Sequence, residues 1–484
     1  MKLQQVLKGL TILETNTPLD LEISGVSYDS RKTTSGDLFV AVTGFVSDGH
    51  KYIPTAMEKG AAVVLCEHAP AEDIPFVRVE NTRKALACVG ANWFDHPAKK
   101  LHMVGVTGTN GKTSVTTILK SVLENTVGAK VGLIGTIQNM IGDEVIPTER
   151  TTPESFELQS LLAQMAEKGC TYCIMEVSSH ALALNRVDEI PFEVGVFTNL
   201  TQDHLDFHKT MEAYAEAKAI LFSRCRYGVF NIDDEYSKVM MKNATCTKLT
   251  VSAKQEADLC AKDVFLGADH IAMQVEYEGR HLPMRLDIPG SFTVYNSLSV
   301  IGVALCLGLS ADEIICALGK PQGVKGRVEV VPTPGQPFTV LIDYAHTPDA
   351  LENVLRSVRG FCKGRLIALF GCGGDRDASK RPKMGEAGVR LSDLAIITSD
   401  NPRTEDPGEI IADILVGADR VGKPYEVVEN RRLAIRHAMD IAQKDDIIVL
   451  CGKGHETYQI LGTEKTHLDE REEVAAYLEE LNRK

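Results

Sequence analysis

Apolar residues along this chain fall into short blocks, and amphipathic stretches separate several of them. The block at 101–107 is almost wholly apolar, and the stretch after it repeats Val115, Ile118 and Val122 at the spacing of one helix face. Such strand–helix alternation is typical of a mostly parallel sheet whose faces are covered by helices. Further apolar blocks that predict strands lie at 37–42, 62–66, 131–135, 172–177, 194–198, 228–232, 366–370, 394–398 and 447–450.

The pattern changes twice along the chain and so divides it into three segments. Residues 1–98 carry short alternating runs bounded by Gly, Asp and Pro, which predict a small α/β unit. Residues 99–325 carry the strand–helix alternation. In residues 326–484 three apolar runs each end in a polar loop, and ligands of open α/β sheets bind beyond such strand ends. We therefore predict an α/β protein of three domains and look for its chemistry in these loops.

Composition and charge exclude several classes of protein. The chain has 484 residues, of which 52 are Lys or Arg and 66 are Asp or Glu, so its net charge is −14. This balance argues against nucleic acid as the main partner. The start lacks a long apolar run with a small-residue cleavage site, and no stretch approaches the roughly 18 apolar residues of a membrane span. We expect a soluble, cytoplasmic protein without membrane insertion, whose cysteines are mostly buried thiols.

A glycine-rich loop follows the apolar block at 101–107 and reads Gly105-Val-Thr-Gly-Thr-Asn-Gly-Lys-Thr113. Backbone N–H groups at 108–111 can converge on phosphate oxygens, Lys112 can neutralise the β- and γ-phosphates, and the Thr113 hydroxyl can ligate Mg²⁺. The strict phosphate-loop pattern is not met, because Val106 stands where that pattern has its first glycine. We favour ATP binding; the alternative is a strand–helix turn that binds no nucleotide.

Two further motifs accompany this loop: Glu-Val-Ser-Ser-His at 176–180 and Asn-Leu-Thr-Gln-Asp-His-Leu-Asp at 199–206. Together with the loop they resemble the Mur ligases of peptidoglycan synthesis, and the resemblance covers essentially the whole chain. It is nearest to the branch that adds the third stem-peptide residue to UDP-N-acetylmuramoyl-L-alanyl-D-glutamate. The resemblance implies a UDP-substrate domain at 1–98, a central ATPase domain with a P-loop-type sheet at 99–325, and a C-terminal Rossmann-like amino-acid domain at 326–484. It also implies a monomer that acts on small-molecule substrates.

The resemblance further implies a nucleotide and metal site. Lys218 matches a family lysine that reacts with CO₂ to give N6-carboxylysine, which turns a cation into an anionic oxygen ligand near the metal ions. The implied catalytic residues are Lys112, Lys218, His204 and Arg327. The implied ligands of Mg²⁺ are Thr113, Glu176, His204 and Lys218. The implied ATP-binding residues are Gly108, Thr109, Asn110, Gly111, Lys112, Thr113, Ser114, Asn296, Arg327 and Asp343.

Each of these residues also has a purely structural interpretation. Taken alone, Lys218 is typical of a solvated lysine on a helix, and Glu176 of a solvated carboxylate at a strand end. His204 can be a structural histidine, and Arg327 with Asp343 can be polar residues at a domain interface.

Two polar loops of the first segment, at 27–31 and 44–49, resemble the loops that hold the uridine nucleotide in the family. As isolated motifs they are weak, because Asp-Ser and Asp-Gly are common in turns. One departure concerns the dipeptide, since some diaminopimelate-adding relatives carry glutamine where this chain has Leu184. The residues implied in binding the UDP-substrate are Tyr28, Ser30, Phe45, Val46, Ser47, Thr151, Thr152, Ser178 and Arg186.

The motif Asp-Asn-Pro-Arg at 400–403 matches the family members that add meso-diaminopimelate. This amino acid differs from lysine by one distal carboxylate, which a planar guanidinium can bind with two parallel hydrogen bonds. Without that carboxylate Arg403 would be left unpaired, so we expect lysine to be rejected. Asp400 and Asn401 can provide or orient acceptors for the distal amine. The residues implied in binding the amino acid are Arg381, Asp400, Asn401, Pro402, Arg403, Gly452 and Glu456.

The leading hypothesis is an ATP-dependent ligase that adds meso-2,6-diaminopimelate to UDP-N-acetylmuramoyl-L-alanyl-D-glutamate through an acyl phosphate. A folylpolyglutamate-synthetase-like ligase shares the phosphate loop and metal motifs, but it has no use for the uridine loops and the motif at 400–403 together. A nucleotide-binding switch would hydrolyse ATP independently of any amino acid. The arginines and carboxylates on the C-terminal strand-end loops argue against that second alternative.

Overall fold

The computed structural model describes residues 1–44, 47–71, 73–148, 150–320 and 325–481. Phe45 and Val46, both predicted to bind the UDP-substrate, lie outside these ranges. The chain forms two compact units: the first comprises residues 1–250 and 302–308, and the second comprises residues 251–301 and 309–484.

The first unit begins with a five-stranded sheet in the order β1-β5-β4-β3-β2. β2 to β5 pair in parallel, and β1 joins β5 antiparallel. The predicted strands at 37–42 and 62–66 are confirmed, although both are shorter than expected. The strands are β1 (Glu14–Thr15), β2 (Gly25–Ser27), β3 (Asp37–Val40), β4 (Val63–Cys66) and β5 (Phe76–Arg78). The helices are α1 (Leu3–Val6), α2 (Ile53–Glu58) and α3 (Thr82–Trp93).

A second sheet of the first unit has the order β12-β11-β6-β10-β7-β8-β9. Its first five strands in this order pair in parallel, and β8 and β9 are added at one edge by antiparallel pairing. The strands are β6 (His102–Thr107), β7 (Val131–Ile134), β8 (Asn139–Ile141), β9 (Glu144–Ile146), β10 (Tyr172–Glu176), β11 (Phe192–Phe197) and β12 (Cys225–Asn231). The helices are α4 (Lys112–Val127), α5 (Ser155–Glu167), α6 (Ser179–Ala183), α7 (Leu205–His208), α8 (Met211–Ala219) and α9 (Ser237–Lys242).

This sheet confirms the predicted strand–helix alternation. Val115, Ile118 and Val122 of α4 are fully buried, as their helical spacing predicts. β6 lies between β11 and β10, so the loops after these three parallel strands leave the sheet side by side. That arrangement brings distant sequence motifs to one edge.

The second unit opens with strands that pair in the order β13-β14-β15-β16, the last three as an antiparallel meander. β13 (Thr247–Ser252) and α10 (Ser291–Cys306) each cross the boundary between the units. The remaining elements of this part are β14 (Leu259–Leu266), β15 (Ile271–Tyr277), β16 (Arg280–Leu286) and α11 (Ala311–Leu318).

The last sheet has the order β17-β18-β22-β19-β20-β21, and all of its pairs except β17–β18 are parallel. The strands, with the separate hairpin β23–β24, are β17 (Glu329–Val331), β18 (Thr339–Asp343), β19 (Leu366–Phe370), β20 (Leu394–Ile397), β21 (Tyr425–Val427), β22 (Ile447–Cys451), β23 (Tyr458–Leu461) and β24 (Glu464–His467). The helices are α12 (Pro348–Arg359), α13 (Lys380–Leu391), α14 (Pro407–Ala418), α15 (Arg431–Ile441) and α16 (Glu470–Leu481).

Buried apolar clusters pack against the five-stranded sheet, the central parallel sheet and both faces of the C-terminal sheet, whose two faces are covered by helices. The predicted α/β architecture is therefore confirmed. Among the described residues, no helix is both long and apolar enough to cross a membrane.

Helices α13 and α14 pack so closely that two glycines are needed at their contact. A Cβ on Gly417 would stand 1.7 Å from the Pro382 carbonyl oxygen, and one on Gly385 would stand 2.0 Å from the Ile414 carbonyl oxygen. Backbone atoms cannot move aside as a flexible side chain can, so any larger residue forces the helices apart.

We expect Gly417→Val to destabilise the protein by about 1–3 kcal/mol, because the added side chain overpacks this helix contact. Thermal unfolding of the variant measures the effect. Ala412→Val is the matched control, since Ala412 is exposed on the same helix. Equal unfolding temperatures for the two variants would contradict the requirement for glycine.

Candidate functional site

The glycine-rich loop joins β6 to α4 in a conformation that only glycine accommodates at two positions. Gly108 has φ +152° and Gly111 has φ +85°, and a Cβ on Gly108 would stand 1.9 Å from the Thr198 hydroxyl oxygen. Residues after β11 hold the loop from the neighbouring strand. The backbone N–H of Asn110 donates to the Asn199 side-chain oxygen at 2.9 Å, and the Thr198 hydroxyl donates to the Asn110 carbonyl at 2.6 Å.

Two lysine ammonium groups converge on this loop. Lys112 Nζ donates to the carbonyl oxygens of Gly108 and Thr109 at 2.9 and 2.8 Å, and Lys218 Nζ donates to the Gly108 carbonyl at 3.0 Å. Lys218 is only 1% exposed and its ammonium lies 4.6 Å from the centre of the Tyr214 ring. The interpretation of Lys218 as a solvated helix lysine is therefore wrong.

The environment of Lys218 favours its neutral form. Burial, reinforced by the charge of Lys112, holds the pKa of the Lys218 amine well below its ordinary value, and Asp203 only partly opposes this. A neutral amine is the form that can react with CO₂.

Glu176 ends β10 beside the start of α4. One of its carboxylate oxygens accepts from the Thr113 hydroxyl and from the Thr136 backbone N–H, each at 3.0 Å, and the other accepts from the Thr136 hydroxyl at 3.0 Å. The residue is 1% exposed, so it is not a solvated strand-end carboxylate. The Thr113 hydroxyl and the Glu176 carboxylate thus form a pair of hard oxygen donors at the phosphate loop.

His204 lies at the start of α7 with a left-handed backbone, φ +51°. Its ring is 4.8 Å from the ring of His180 in an edge-on arrangement, and it is half exposed. Across the described ranges, no group of three or more His, Cys, Asp or Glu side chains is arranged to hold a metal ion. The role of His204 at a metal ion stays a prediction.

The residues predicted to bind the dipeptide gather next to Glu176. The Thr152 hydroxyl donates to the Glu176 carbonyl at 2.8 Å and accepts from the Ser178 N–H at 3.1 Å. Arg186 donates to the Thr152 carbonyl at 3.2 Å, and the hydroxyl oxygens of Thr151 and Thr136 are 3.0 Å apart. The structure therefore brings Thr152, Ser178 and Arg186 together, and their role in binding the dipeptide stays a prediction.

Glu154 is a neighbour of this group that the sequence did not single out. Its carboxylate lies 2.7 Å from Arg186, 2.9 Å from Arg150 and 3.6 Å from Arg83. Arg83 in turn donates to the Thr43 carbonyl at 2.9 Å, at the start of the second predicted uridine loop. Glu154 thereby links that loop to the predicted dipeptide arginine; only the four-residue spacing to Arg150 is visible in the sequence.

In the predicted uridine loops, Ser30 is buried and the Tyr28 hydroxyl donates to the Glu157 carboxylate. The hydroxyl oxygens of Ser47 and Tyr52 are 3.2 Å apart. The roles of Tyr28, Ser30 and Ser47 in binding the UDP-substrate stay predictions.

In the second unit, Asp343 ends β18 and is buried. Its carboxylate accepts from the backbone N–H groups of Val328 and Ala345 at 2.9 and 2.8 Å. Burial raises the pKa of the Asp343 carboxyl, and the nearby Arg327 opposes this rise. The Arg327 guanidinium lies over the Tyr344 ring, and its Nε is buried without a hydrogen-bond partner. Asn296 is buried within α10 of the same unit.

The predicted amino-acid loop after β20 is fixed against the hairpin β23–β24. Arg403 has a left-handed backbone, φ +53°, its N–H donates to the Ile460 carbonyl at 3.1 Å, and its carbonyl accepts from Gly462 N–H at 2.7 Å. Its guanidinium donates to the Gly374 carbonyl at 2.8 Å. A Cβ on Gly374 would stand 1.9 Å from the Pro402 carbonyl oxygen, so glycine is required where the two loops meet.

Asp400, Asn401 and Glu456 meet at Lys453, which the sequence did not single out. Lys453 Nζ lies 3.0 Å from Asp400, 2.9 Å from the Asn401 side-chain oxygen and 3.4 Å from Glu456. Lys453 is fully buried. Gly452, which precedes it, has φ +111°, and a Cβ there would stand 3.0 Å from a carboxylate oxygen of Asp400.

Arg381 is buried on α13 and already pairs with two carboxylates of this chain. Its guanidinium lies 2.7 Å from Glu405 and 2.9 Å from Asp413. Glu405 N–H donates to the Pro402 carbonyl at 3.2 Å, so Arg381 is anchored to the turn that follows Arg403. A direct role for Arg381 in binding a substrate carboxylate stays a prediction.

Comparison with known proteins places this architecture in one family. The chain matches the Mur ligase family catalytic domain at 22–93, the Mur ligase middle domain at 106–304, and the Mur ligase glutamate ligase domain at 326–454. Because these three domains match and full-length relatives are nearly half identical to it, the chain belongs to the Mur ligase family.

Several relatives within the family carry the name of a diaminopimelate-adding ligase. The chain is 49% identical over 484 residues to UDP-N-acetylmuramoyl-L-alanyl-D-glutamate--2,6-diaminopimelate ligase 1 of Clostridium acetobutylicum, covering 99% of this chain and 100% of that one. It is 48% identical over 479 residues to the corresponding ligase of Clostridioides difficile, covering 98% of both chains. A solved structure of such a ligase superimposes with a TM-score of 0.74 at 31% identity, over 100% of this chain and 99% of that one.

We expect Lys218→Met to stabilise the ligand-free protein at neutral pH in CO₂-free buffer. At neutral pH the Lys218 amine is protonated in the unfolded chain but neutral in the folded protein. The free energy of unfolding of the wild type therefore increases as pH rises from the lowered pKa of the folded protein toward the ordinary lysine pKa. Each unit by which the pKa is lowered destabilises the wild-type protein by about 1.4 kcal/mol at neutral pH, and methionine avoids this cost. The advantage of the variant should therefore shrink between about pH 7 and pH 9.

Thermal unfolding at the two pH values measures this difference. Lys238→Met on the exposed side of α9 is the control and should show no such trend. An advantage of Lys218→Met that does not change with pH would contradict the neutral-amine account.

Proposed function

We propose that this protein is an ATP-dependent ligase that joins meso-2,6-diaminopimelate to UDP-N-acetylmuramoyl-L-alanyl-D-glutamate, in the cytoplasmic synthesis of peptidoglycan precursors. The observation that carries the proposal is the strand-end cluster in which Arg403 is held against the hairpin β23–β24 and the carboxylates of Asp400 and Glu456 meet at Lys453. It offers a guanidinium for a carboxylate and acidic groups for an ammonium. The names of the full-length relatives agree with this substrate.

The phosphate loop fits ATP and Mg²⁺. Gly108 and Gly111 give the loop its positive-φ turns before α4, and Lys112 places a cation at its Gly108 and Thr109 carbonyls. The Thr113 and Glu176 oxygens, 3.0 Å apart, supply the one or two protein ligands that Mg²⁺ uses beside water and phosphate oxygens. When bound, ATP with Mg²⁺ supplies the phosphoryl group that converts a substrate carboxylate into an acyl phosphate.

Activation of the carboxylate is needed because forming an amide from a free carboxylate in water is uphill. The surrounding residues contribute by position and charge: Arg186 and Thr152 hold the stem dipeptide beside Glu176, close to the loop that holds the γ-phosphate. The amine of the incoming amino acid then attacks the carbonyl carbon of the acyl phosphate. The amide bond forms as the amine loses a proton, and the C–O bond to phosphate breaks to release inorganic phosphate.

Lys218 serves this site as N6-carboxylysine in our proposal. Its amine is buried, its pKa is depressed, and it lies 3.0 Å from the Gly108 carbonyl of the phosphate loop. CO₂ adds to the neutral amine, which loses a proton, and the resulting carbamate places an anion beside the Lys112 cation and adds an oxygen donor for Mg²⁺.

The remaining assignments follow the three segments, with boundaries that we place near residues 98 and 325. Residues 1–98, with Tyr28, Ser30 and Ser47, receive the uridine nucleotide. Asn296, Arg327 and Asp343 keep their predicted roles as ATP-binding residues.

A folylpolyglutamate-synthetase-like function is the less favoured alternative. It leaves the buried Ser30 loop and the Asp400–Arg403 loop without a purpose, and it does not account for relatives nearly half identical over the whole chain that carry the diaminopimelate-ligase name. A nucleotide switch leaves Arg403 and Glu456 equally unexplained.

Phosphate release from ATP, with the UDP-dipeptide and either meso-diaminopimelate or L-lysine, tests the proposal. We expect release and a tripeptide product only with meso-diaminopimelate. Turnover with lysine instead would overturn the selectivity, and release independent of any amino acid would favour the switch.

Arg403→Ala should raise the KM for meso-diaminopimelate about tenfold to a hundredfold, because a charged hydrogen-bond pair contributes about 1.5–3 kcal/mol. The KM for ATP should change little. Steady-state kinetics with each substrate varied in turn measures both constants. Arg420→Ala, at an exposed position after α14, is the matched control. Equal increases in both KM values would remove Arg403 from the amino-acid site.

A further inference from the structure

We propose that Lys453 is the positioning residue of the amino-acid site: its ammonium fixes Asp400, Asn401 and Glu456 in the orientation that receives the ammonium-bearing end of the substrate. The inference rests on the proposed function, because it assigns a task to a residue beneath the amino-acid loops. Lys453 does not contact the substrate in this account and acts only through its three neighbours.

Burial makes Lys453 costly unless its charge is compensated. It is fully buried, and an ammonium removed from water needs acceptors at every proton to be tolerated. It donates hydrogen bonds to the Asn401 side-chain oxygen at 2.9 Å and to a Glu456 oxygen at 3.4 Å, and it forms an ion pair with an Asp400 oxygen at 3.0 Å. All three partners belong to residues predicted to bind the amino acid.

The hydrogen bonds of Asn401 define its role. Its side-chain oxygen accepts from Lys453 Nζ at 2.9 Å and from the Ile460 N–H at 3.0 Å, which uses both lone pairs. Its amide nitrogen donates to a Glu456 oxygen at 2.9 Å. Asn401 therefore orients Glu456 and links the loop after β20 to the hairpin β23–β24. The carboxylates of Asp400 and Glu456 remain as acceptors for the substrate ammonium.

The charges of the cluster match the substrate. The carboxylates of Asp400 and Glu456 face the single ammonium of Lys453, which leaves one net negative charge. The neighbouring Arg431 is neutralised by its own buried partner Glu470 at 2.7 Å. One excess negative charge suits one ammonium, and Arg403 on the same loop suits the adjacent carboxylate. Without Lys453, two carboxylates would face each other in a buried site and repel.

Two glycines explain how a lysine in a strand-end loop comes to point inward. Gly452 and Gly454 flank Lys453 with φ +111° and +54°, and a Cβ on Gly454 would stand 2.5 Å from the Cβ of Tyr344. The backbone therefore turns tightly on both sides of Lys453 and directs its side chain beneath β20 and the hairpin.

The test compares Lys453→Met with Lys465→Met by steady-state kinetics. Lys465 is the matched control because it is exposed on β24 and lies over the ring of Tyr458, which Lys453 also faces. Unlike Lys453, it does not contact the side chains of Asp400, Asn401 or Glu456. We expect Lys453→Met to raise the KM for meso-diaminopimelate about tenfold to a hundredfold, since small misplacements of binding groups have effects of this size. The KM values for ATP and the UDP-dipeptide should stay within about twofold. Lys465→Met should match the wild type.

Lys453→Arg keeps the charge and should recover part of the affinity that Lys453→Met loses. An unchanged KM for meso-diaminopimelate in Lys453→Met, or equal increases for all three substrates, would overturn the proposal. Wild-type turnover with meso-diaminopimelate decides the proposed function separately, because it depends on no variant.

A pair of variants answers the question if Lys453→Met does not fold. Lys453→Met combined with Glu456→Gln removes one cation and one anion, so the net charge of the cluster stays at minus one. ATP-induced stabilisation confirms that this variant is folded. Its KM for meso-diaminopimelate should exceed that of Glu456→Gln alone by about tenfold. Equal KM values for the double and single variants would overturn the positioning role.

Discussion

The phosphate-loop site depends on one backbone carbonyl, that of Gly108, which accepts hydrogen bonds from both Lys112 and Lys218. Two ammonium groups so close together repel, and burial removes the water that would screen them. The structure meets this constraint in two ways: the loop is shaped for anions, and the environment of Lys218 disfavours its charge. An anionic ligand beside Lys112 and a carboxylated Lys218 both relieve the same excess of positive charge.

At the edge of the C-terminal sheet the excess charge is negative, and one buried cation compensates part of it. There Asp400 and Glu456 bring negative charge into a buried site, and the single ammonium of Lys453 compensates part of it. At both edges the residue that balances the charge lies beneath the groups proposed to touch substrate. Buried, compensated charge keeps such groups in fixed positions, which favours substrate recognition more than it favours stability.

Local patterns predicted most of the fold. The strand at Leu366–Phe370 has its expected bounds, and Val115, Ile118 and Val122 lie buried on α4 as their spacing indicated. The positions of the phosphate loop and Glu176 were also predictable, because each lies at the end of a strand of a parallel sheet and such strand ends share one edge. The assignment of Arg186 came only from the family resemblance.

The residues whose positions local patterns do not give are held by contacts between distant parts of the chain. Lys218, whose role only the family resemblance implied, lies on a helix rich in alanine, and these small residues form no apolar stripe from which its burial could be predicted. Lys453 and Asn401 are 52 residues apart, and Glu154, at the start of α5, meets Arg83 on α3. No pattern of neighbouring residues encodes such pairs.

The most direct measurement of the central claim follows oxygen from the substrate to the product. The D-glutamyl carboxylate of the UDP-dipeptide is labelled with heavy oxygen, and the protein turns it over with ATP and meso-diaminopimelate. Mass spectrometry then examines the released phosphate. The account predicts that each phosphate carries one labelled oxygen, because the carboxylate passes through an acyl phosphate before the amine attacks. Phosphate without label, released in step with the tripeptide, would contradict it.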